Sequence, residues 1–353
     1  MQRVLSVVLS LAIMLTLIAA VPVTVSAADT PSTSLSFYSR TLALEDNLTI
    51  DYNINATLFT EVGYTDPYVV FEFNGQQTTV TSYRVKDGKY SFSFENIAPN
   101  QMKDTIKATL YATYNGTTYS AAAPDYSVAQ YCYTMLGRAT GSEYAEFRTL
   151  LVDLLQYGAA SQIYAGYKTD DLANAELTPE QRAMGTSTTP SLGSALDAEF
   201  AVVPNPTVSW RSVSLVLDSA IVIRYKINAA TSENLSAKIT TDSDQEWTID
   251  GSEFVRASEG VYNIEFSGLD AGQMRDNVYI TIFDGDTAVS NTLCYSVETY
   301  VYNKQNNGDT NFVNLIIAMM RYGDSAYDYI TEDAPDNSED PDEGWSDWWT
   351  PEY

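Results

Sequence analysis

Two hydrophobic rhythms alternate along this chain, and they predict strands first and helices after them. Leu48, Ile50, Tyr52 and Ile54 alternate with Thr49, Asp51 and Asn53, which is the period of a strand with one face on a core and the other in water. Tyr90, Phe92 and Phe94 form a second stripe of this kind, and Ile106, Ala108 and Leu110 start a third. The period then lengthens to about 3.6 residues, that of a helix. Val128, Tyr131, Cys132 and Met135 share one face of a short helix. After a turn at Gly141-Ser142, Phe147, Leu150, Leu151, Leu154, Leu155 and Gly158 share the face of a longer one, with Glu143 in its first turn to complement the helix dipole.

The whole series then recurs. Ile50-Asp51-Tyr52-Asn53-Ile54-Asn55-Ala56 returns as Ile223-Arg224-Tyr225-Lys226-Ile227-Asn228-Ala229, and Gln101-Met102-Lys103-Asp104 as Gln273-Met274-Arg275-Asp276. Tyr126-Ser127-Val128 matches Tyr295-Ser296-Val297, and Leu150 through Gly158 matches Leu315 through Gly323. The apolar stripes return with them: Ile221, Ile223, Tyr225 and Ile227, then Tyr262, Ile264 and Phe266, then Val278, Ile280 and Ile282. The second long helix shows Phe312, Leu315, Ile316, Met319, Met320 and Gly323 on one face, with Asp309 as its N-cap. Self-similarity of this kind predicts two modules of one fold, each hiding an apolar interior of the same layout. Gly158 and Gly323 cost about 1 kcal/mol each relative to alanine inside a helix, so their place on the apolar face predicts a close approach of the helix backbone to a neighbour.

Composition sets the boundaries. Met1-Gln2-Arg3, the apolar run Val4 to Val21 and the small residues Val25-Ser26-Ala27-Ala28 read as a secretory signal over residues 1–27. A first module spans residues 32–167 and a second 196–330. Residues 168–195, rich in Thr, Ser, Ala, Gly and acids, read as a linker in which Thr178 and Pro179 start one helical turn. Residues 331–353 form an acidic, tryptophan-containing tail that reads as disordered in isolation. Its Trp345, Trp348 and Trp349 are the candidate ligand-binding residues, for docking on the second module or on a partner.

With 46 acidic residues against 19 basic ones, a net charge of −27 argues against nucleic acid and anionic membrane surfaces as partners. The chain has no histidine, which excludes Ser-His-Asp and Cys-His machinery and the ordinary zinc sites. Cys132 and Cys294 occupy non-equivalent places in the repeat, so two buried thiols are favoured over one disulfide. Among acidic pairs only Asp104 and Asp276 recur at equivalent places, where they end a loop, and a glycosidase reading is set aside. No cofactor is expected. Calcium is the one metal the composition suggests, through Asp242-Ser243-Asp244 and Asp284-Gly285-Asp286, and both fit hairpin turns better. Most of the 26 tyrosines fall on inward positions, while Trp210 and Trp247 lie near strand ends and go either way.

Short alternating strands with turn signals between them suggest an antiparallel sandwich. The segment Asn96 to Ile106, repeated from Gly268, resembles the loop between two late strands of an immunoglobulin-like or fibronectin type III sandwich. Met102 and Met274 stand near where those families place a corner tyrosine, a departure that limits the likeness to the architecture. The expected fold is therefore mainly β with helical additions: two tandem immunoglobulin- or fibronectin III-like modules, each followed by a helical hairpin. Gly158, Gly323, Met102, Met274, Asp104 and Asp276 are its candidate structural residues.

The order Tyr-Ser-Val, helix, Leu-Leu and Tyr157-Gly158-Ala159-Ala160 resembles repeated modules in secreted and surface proteins of gut Clostridia, over nearly all of the mature chain. That resemblance implies location and role class: a secreted, non-enzymatic binding or adhesion protein engaging an extracellular protein or glycan, without membrane insertion after signal cleavage. Immunoglobulin-binding superantigens of related bacteria make a host antibody one such partner. A carbohydrate-binding accessory module, with a planar row of exposed aromatics, and a passive component of the cell envelope are the alternatives.

Overall fold

In the computed structural model, which describes residues 30–44, 47–193, 198–217 and 220–331, the alternating stripes pair antiparallel into four sheets. The first half supplies β1 (Ser39–Leu44), β2 (Leu48–Asn55), β3 (Thr65–Phe73) and β4 (Gln76–Val80). It continues with β5 (Arg84–Lys86), β6 (Lys89–Ile97), β7 (Ile106–Tyr114) and β8 (Thr117–Ala122), and one helical turn, α1 (Thr57–Thr60), follows β2. Their orders are β1-β2-β6-β5 and β4-β3-β7-β8. The two sheets face each other through aromatic rings: Tyr52 meets Phe71 edge-on at 5.1 Å, and Phe71 meets Phe94 at 5.2 Å. Asn74-Gly75, Asp87-Gly88 and Asn115-Gly116 all have positive φ, which is the backbone that tight two-residue hairpins require.

The second half repeats these orders. It supplies β9 (Ala198–Phe200), β10 (Ser209–Leu217), β11 (Ile221–Asn228), β12 (Leu235–Thr241) and β13 (Glu246–Asp250). After them come β14 (Val255–Ser258), β15 (Val261–Phe266), β16 (Val278–Asp284), β17 (Thr287–Ala288) and β18 (Thr292–Tyr295). One sheet runs β10-β11-β15-β14 and the other β13-β12-β16-β18-β9, with β17 on β16. Trp247 of β13 packs edge-on against Phe266 of β15 at 4.9 Å, and the Trp210 indole donates to the Asn291 carbonyl at 2.9 Å, so both tryptophans belong to the packing.

Two expectations need correction. Thr49, Asp51 and Asn53 do not face water; β2 is a central strand, and its outer row is buried beneath polar neighbours. Asp51 accepts from Ser93 Oγ and Arg84, each at 2.6 Å, while Asn53 accepts from Ser91 Oγ at 2.5 Å and donates to Ser39. Polar side chains with partners can be buried at small cost, so alternation marked the strand correctly and its exposure wrongly.

The second correction concerns the helices, α2 (Val128–Arg138), α3 (Ala145–Ala165), α4 (Pro179–Arg182), α5 (Val297–Lys304) and α6 (Thr310–Thr331). Ser127 and Ser296 cap α2 and α5, and Asp309 caps α6 through the Asn311 and Phe312 amides. Each long helix packs on the turn of its own half and also on the other long helix. They run antiparallel against each other: Phe147 meets Tyr329 at 5.3 Å, Tyr157 stacks on Tyr322 at 5.8 Å, and Tyr164 meets Phe312 at 5.6 Å. Leu150, Leu151, Leu154 and Leu155 join Leu315, Ile316, Met319 and Met320 in one continuous apolar interior, not the two separate ones the repeat suggested. The linker is packed too. Ala173 and Leu177 are buried in that interior, and Gln162 clasps the chain through the Ala173 amide at 2.6 Å and the Asp171 carbonyl at 3.1 Å.

Candidate functional site

The residues singled out by the repeat meet in two equivalent turns. Gln101 and Gln273 bend back so that each side-chain oxygen accepts from a backbone amide of its own turn, of Ala98 at 3.3 Å and of Asp270 at 3.0 Å. This aims Met102 and Met274 inward, both fully buried. Each methionine lies against a helix glycine: a Cβ on Gly158 would overlap the Met102 sulfur, and one on Gly323 would come within 2.6 Å of the Met274 sulfur. The methionine carbonyls also receive the first turns of the short helices, from Ala129 at 2.9 Å and Glu298 at 3.1 Å. The thioether thus fills the corner beneath a long helix, and the glycine is what admits it.

The charged residues of these turns are engaged in holding the chain. Asp104, almost fully buried, accepts from Asn74 at 2.8 Å, Tyr167 at 2.6 Å and Lys168 at 2.6 Å. Those bonds raise the Tyr167 and Lys168 proton affinities, because each loses a carboxylate partner or meets an added charge on deprotonation. Lys103 pairs with Asp171 at 2.5 Å and Glu176 at 3.0 Å, and Arg275 pairs with Asp324 at 2.6 Å and Glu298 at 2.5 Å. Among the described residues the Asp276 side chain takes the Ser243 hydroxyl. Cys132 and Cys294 are buried thiols outside any disulfide, and burial pushes the Cys132 thiol up to about 12, which makes it unreactive. Asp242-Ser243-Asp244 and Asp284-Gly285 lie at the β12–β13 and β16–β17 turns, where Asp242 accepts from the Asn277 amide at 3.1 Å. Among the described residues no three His, Cys, Asp or Glu side chains gather as a metal site. Trp345, Trp348 and Trp349, with residues 1–27, lie outside the described residues.

One concave feature was not signalled by any motif. A groove of about 550 Å³ lies along the seam between α3 and α6. Its lining includes Ala159, Ala160, Ala318, Ile163 and Ile317, and Gln156 and Asn314 add amide groups. The Gln156 oxygen already accepts from Asn174 at 2.6 Å, which leaves its amide nitrogen to donate. The signal for the groove was present as Ala159-Ala160, small residues on a helix stripe otherwise filled by larger ones, and it needed the helix partner to be recognised. A second surface feature is the pair Tyr68 and Tyr111, in register on β3 and β7, whose rings stack at 5.0 Å. Their strand neighbours Val69 and Leu110 are buried, so the pair stands on the outer face of its sheet.

No family model matches the chain, and no curated protein matches it. A solved structure to which it is similar is that of a pullulanase from Anoxybacillus sp. LM18-11 complexed with maltotriose, at 9% identity over 71% of this chain and 24% of that one, with a TM-score of 0.17. Another is a laminaripentaose-producing β-1,3-glucanase of glycoside hydrolase family 64 from Paenibacillus barengoltzii complexed with laminarihexaose, at 8% identity over 73% of this chain and 50% of that one, with a TM-score of 0.19. The chain spans half of those proteins or less, and likenesses this slight bear on neither fold nor function.

Proposed function

We propose that this chain is a secreted, non-catalytic binding or adhesion protein of two immunoglobulin- or fibronectin III-like modules that engages an extracellular protein. Two similar modules that packed separately would be expected to act as tethered sites, by avidity. Helices that share one apolar interior support a different reading, a single body that meets its partner at the seam. The observation that carries this is the groove between α3 and α6, whose volume falls in the range of ligand sites. The recurring charged residues, by contrast, are engaged in the turns. Carbohydrate binding is the second reading, favoured by the Tyr68–Tyr111 platform alone.

Affinity capture separates the two. The mature protein is expected to retain a defined protein from serum, mucin or bacterial wall extracts, and Ile163→Arg at the groove rim is expected to release it. Retention of glycans that depends on Tyr68 and Tyr111 would move the function to the sheet. Retention of nothing by intact, folded protein would end the binding reading.

A further inference from the structure

The seam between α3 and α6 has an internal two-fold character. Phe147 and Phe312 are equivalent residues of the two long helices, as are Tyr164 and Tyr329, and each phenylalanine meets the tyrosine of the other helix. Tyr157 and Tyr322, also equivalent, stack on one another at the centre. This is the reciprocal pattern of an isologous contact, in which the same patch is used twice. One stripe of α3 runs Thr149, Val152, Asp153, Gln156, Ala160 and Ile163 at the three- and four-residue spacing of a helix face. Its equivalent on α6 runs Asn314, Ile317, Ala318, Arg321, Ser325 and Asp328.

The groove between these stripes has two equivalent halves, and the chain itself fills one. Residues 184–188 lie there without regular secondary structure. Thr149 Oγ1 donates to the Met184 carbonyl at 2.9 Å, and Asp153 takes the Thr186 amide at 2.9 Å and its hydroxyl at 2.6 Å. Gly185 lies against Val152, and Arg321 donates to the Thr188 carbonyl at 3.0 Å. From Thr149 to the level of Arg321 the helix rises about 10 Å, which four residues cover only when nearly extended. The open half is the groove of about 550 Å³.

Resting on the binding reading above, we infer that the open half takes an extended peptide segment of a partner protein, laid along α6 as residues 184–188 are laid along α3. The carbonyl donors recur at both ends: Asn314 stands where Thr149 does, and Gln156, with its amide nitrogen available among the described residues, stands where Arg321 does. The middle differs. Asp153 and Ser325 are replaced by Ala318 and Ala160, and Val152 by Ile317. The ligand therefore carries a small or branched apolar residue where the chain's own segment has Thr186, since a hydroxyl there would be buried without a partner.

Two fluorescent peptides test this on the full-length protein by anisotropy: residues 182–190 as they stand, and the same peptide with valine in place of Thr186. The wild type is expected to bind the valine peptide about tenfold more tightly than the threonine peptide. Ala160→Ser with Ala318→Asp rebuilds the occupied chemistry and is expected to reverse that preference, and Ala160→Trp to abolish both. No binding, an unchanged preference in a folded double variant, or indifference to Ala160→Trp would each overturn the inference. So would binding that appears only once residues 332–353 are removed, since the chain's own C-terminal segment would then be the occupant. A captured protein whose retention ignores Ala160→Trp would leave the binding reading intact and remove this groove from it. Peptide binding without any captured protein would do the opposite.

Discussion

The turns Gln101-Met102-Lys103-Asp104 and Gln273-Met274-Arg275-Asp276 share a backbone and differ in their electrostatics. In both, the glutamine closes the turn, the methionine is buried beneath a helix glycine and the methionine carbonyl starts a short helix. Their charges face different partners. Asp104 is buried and holds the chain that leaves α3, while Asp276, among the described residues, takes the Ser243 hydroxyl; Lys103 pairs with acids of the linker, and Arg275 with acids of α5 and α6. The shape-bearing residues are the shared part, because a buried thioether against a glycine has one solution. Charge partners near the surface are free to change with whatever chain passes by.

The largest expected effect tests the shared part. Gly158→Leu places a branched side chain where even a Cβ would overlap Met102 and would reach within 3.1 Å of Ala173. A loss of about 3 kcal/mol is expected, read as a lowered urea midpoint with the slope unchanged. Gly158→Ala and Gly323→Ala refine the test. Each gains about 1 kcal/mol of helix propensity and must displace a methionine, so both are expected to destabilise, with Gly158→Ala the worse because Ala173 crowds it from a second side. An unchanged midpoint for Gly158→Leu would dismiss the close approach as the reason for glycine.

Next in size is the part that differs. Asp104→Asn removes a buried charge that Lys168, Tyr167 and Asn74 all address, and turns one acceptor into a donor facing donors. It is expected to cost about 2 kcal/mol, whereas Asp276→Asn, which keeps an acceptor for Ser243, is expected to cost under about 1 kcal/mol. Equal losses in the two denaturation curves would mean that the aspartates serve the turn itself and that their partners are incidental.

Periodicity made the sheets and long helices legible, and comparison of the halves singled out Met102, Gly158 and their equivalents before their contact was known. What stayed hidden shares one cause: it depends on which element lies opposite. An apolar helix face looks the same whether it covers its own sheet or another helix, so Phe147 and Phe312 gave no sign of the antiparallel seam. Ala173 and Leu177 sit among polar residues, and only burial shows that their segment is packed. Ala159 and Ala160 line a groove that exists only once α6 is placed beside them.

Asp153 gives the subtlest contrast between the halves, since its equivalent is Ala318 and the groove it lines is the occupied one. Burial pushes its carboxyl above the ordinary 3.8, against the pull of the Thr186 hydroxyl and amide, Ser325 and Arg321. The folded protein therefore holds this proton more tightly than the unfolded chain does. The group's contribution to stability is fully present below pH 3.8 and is lost as the pH rises through the raised value. Asp153→Asn keeps the shape and does not titrate, so the stability of the wild type relative to it is expected to fall as the pH rises across that window, then level off. Urea titrations of both proteins at a series of pH values measure that difference, with the many other carboxylates cancelling. The opposite slope would mean that the two bonds from Thr186, which favour the ionised form, outweigh desolvation, and that the occupied half of the groove is held by a charge.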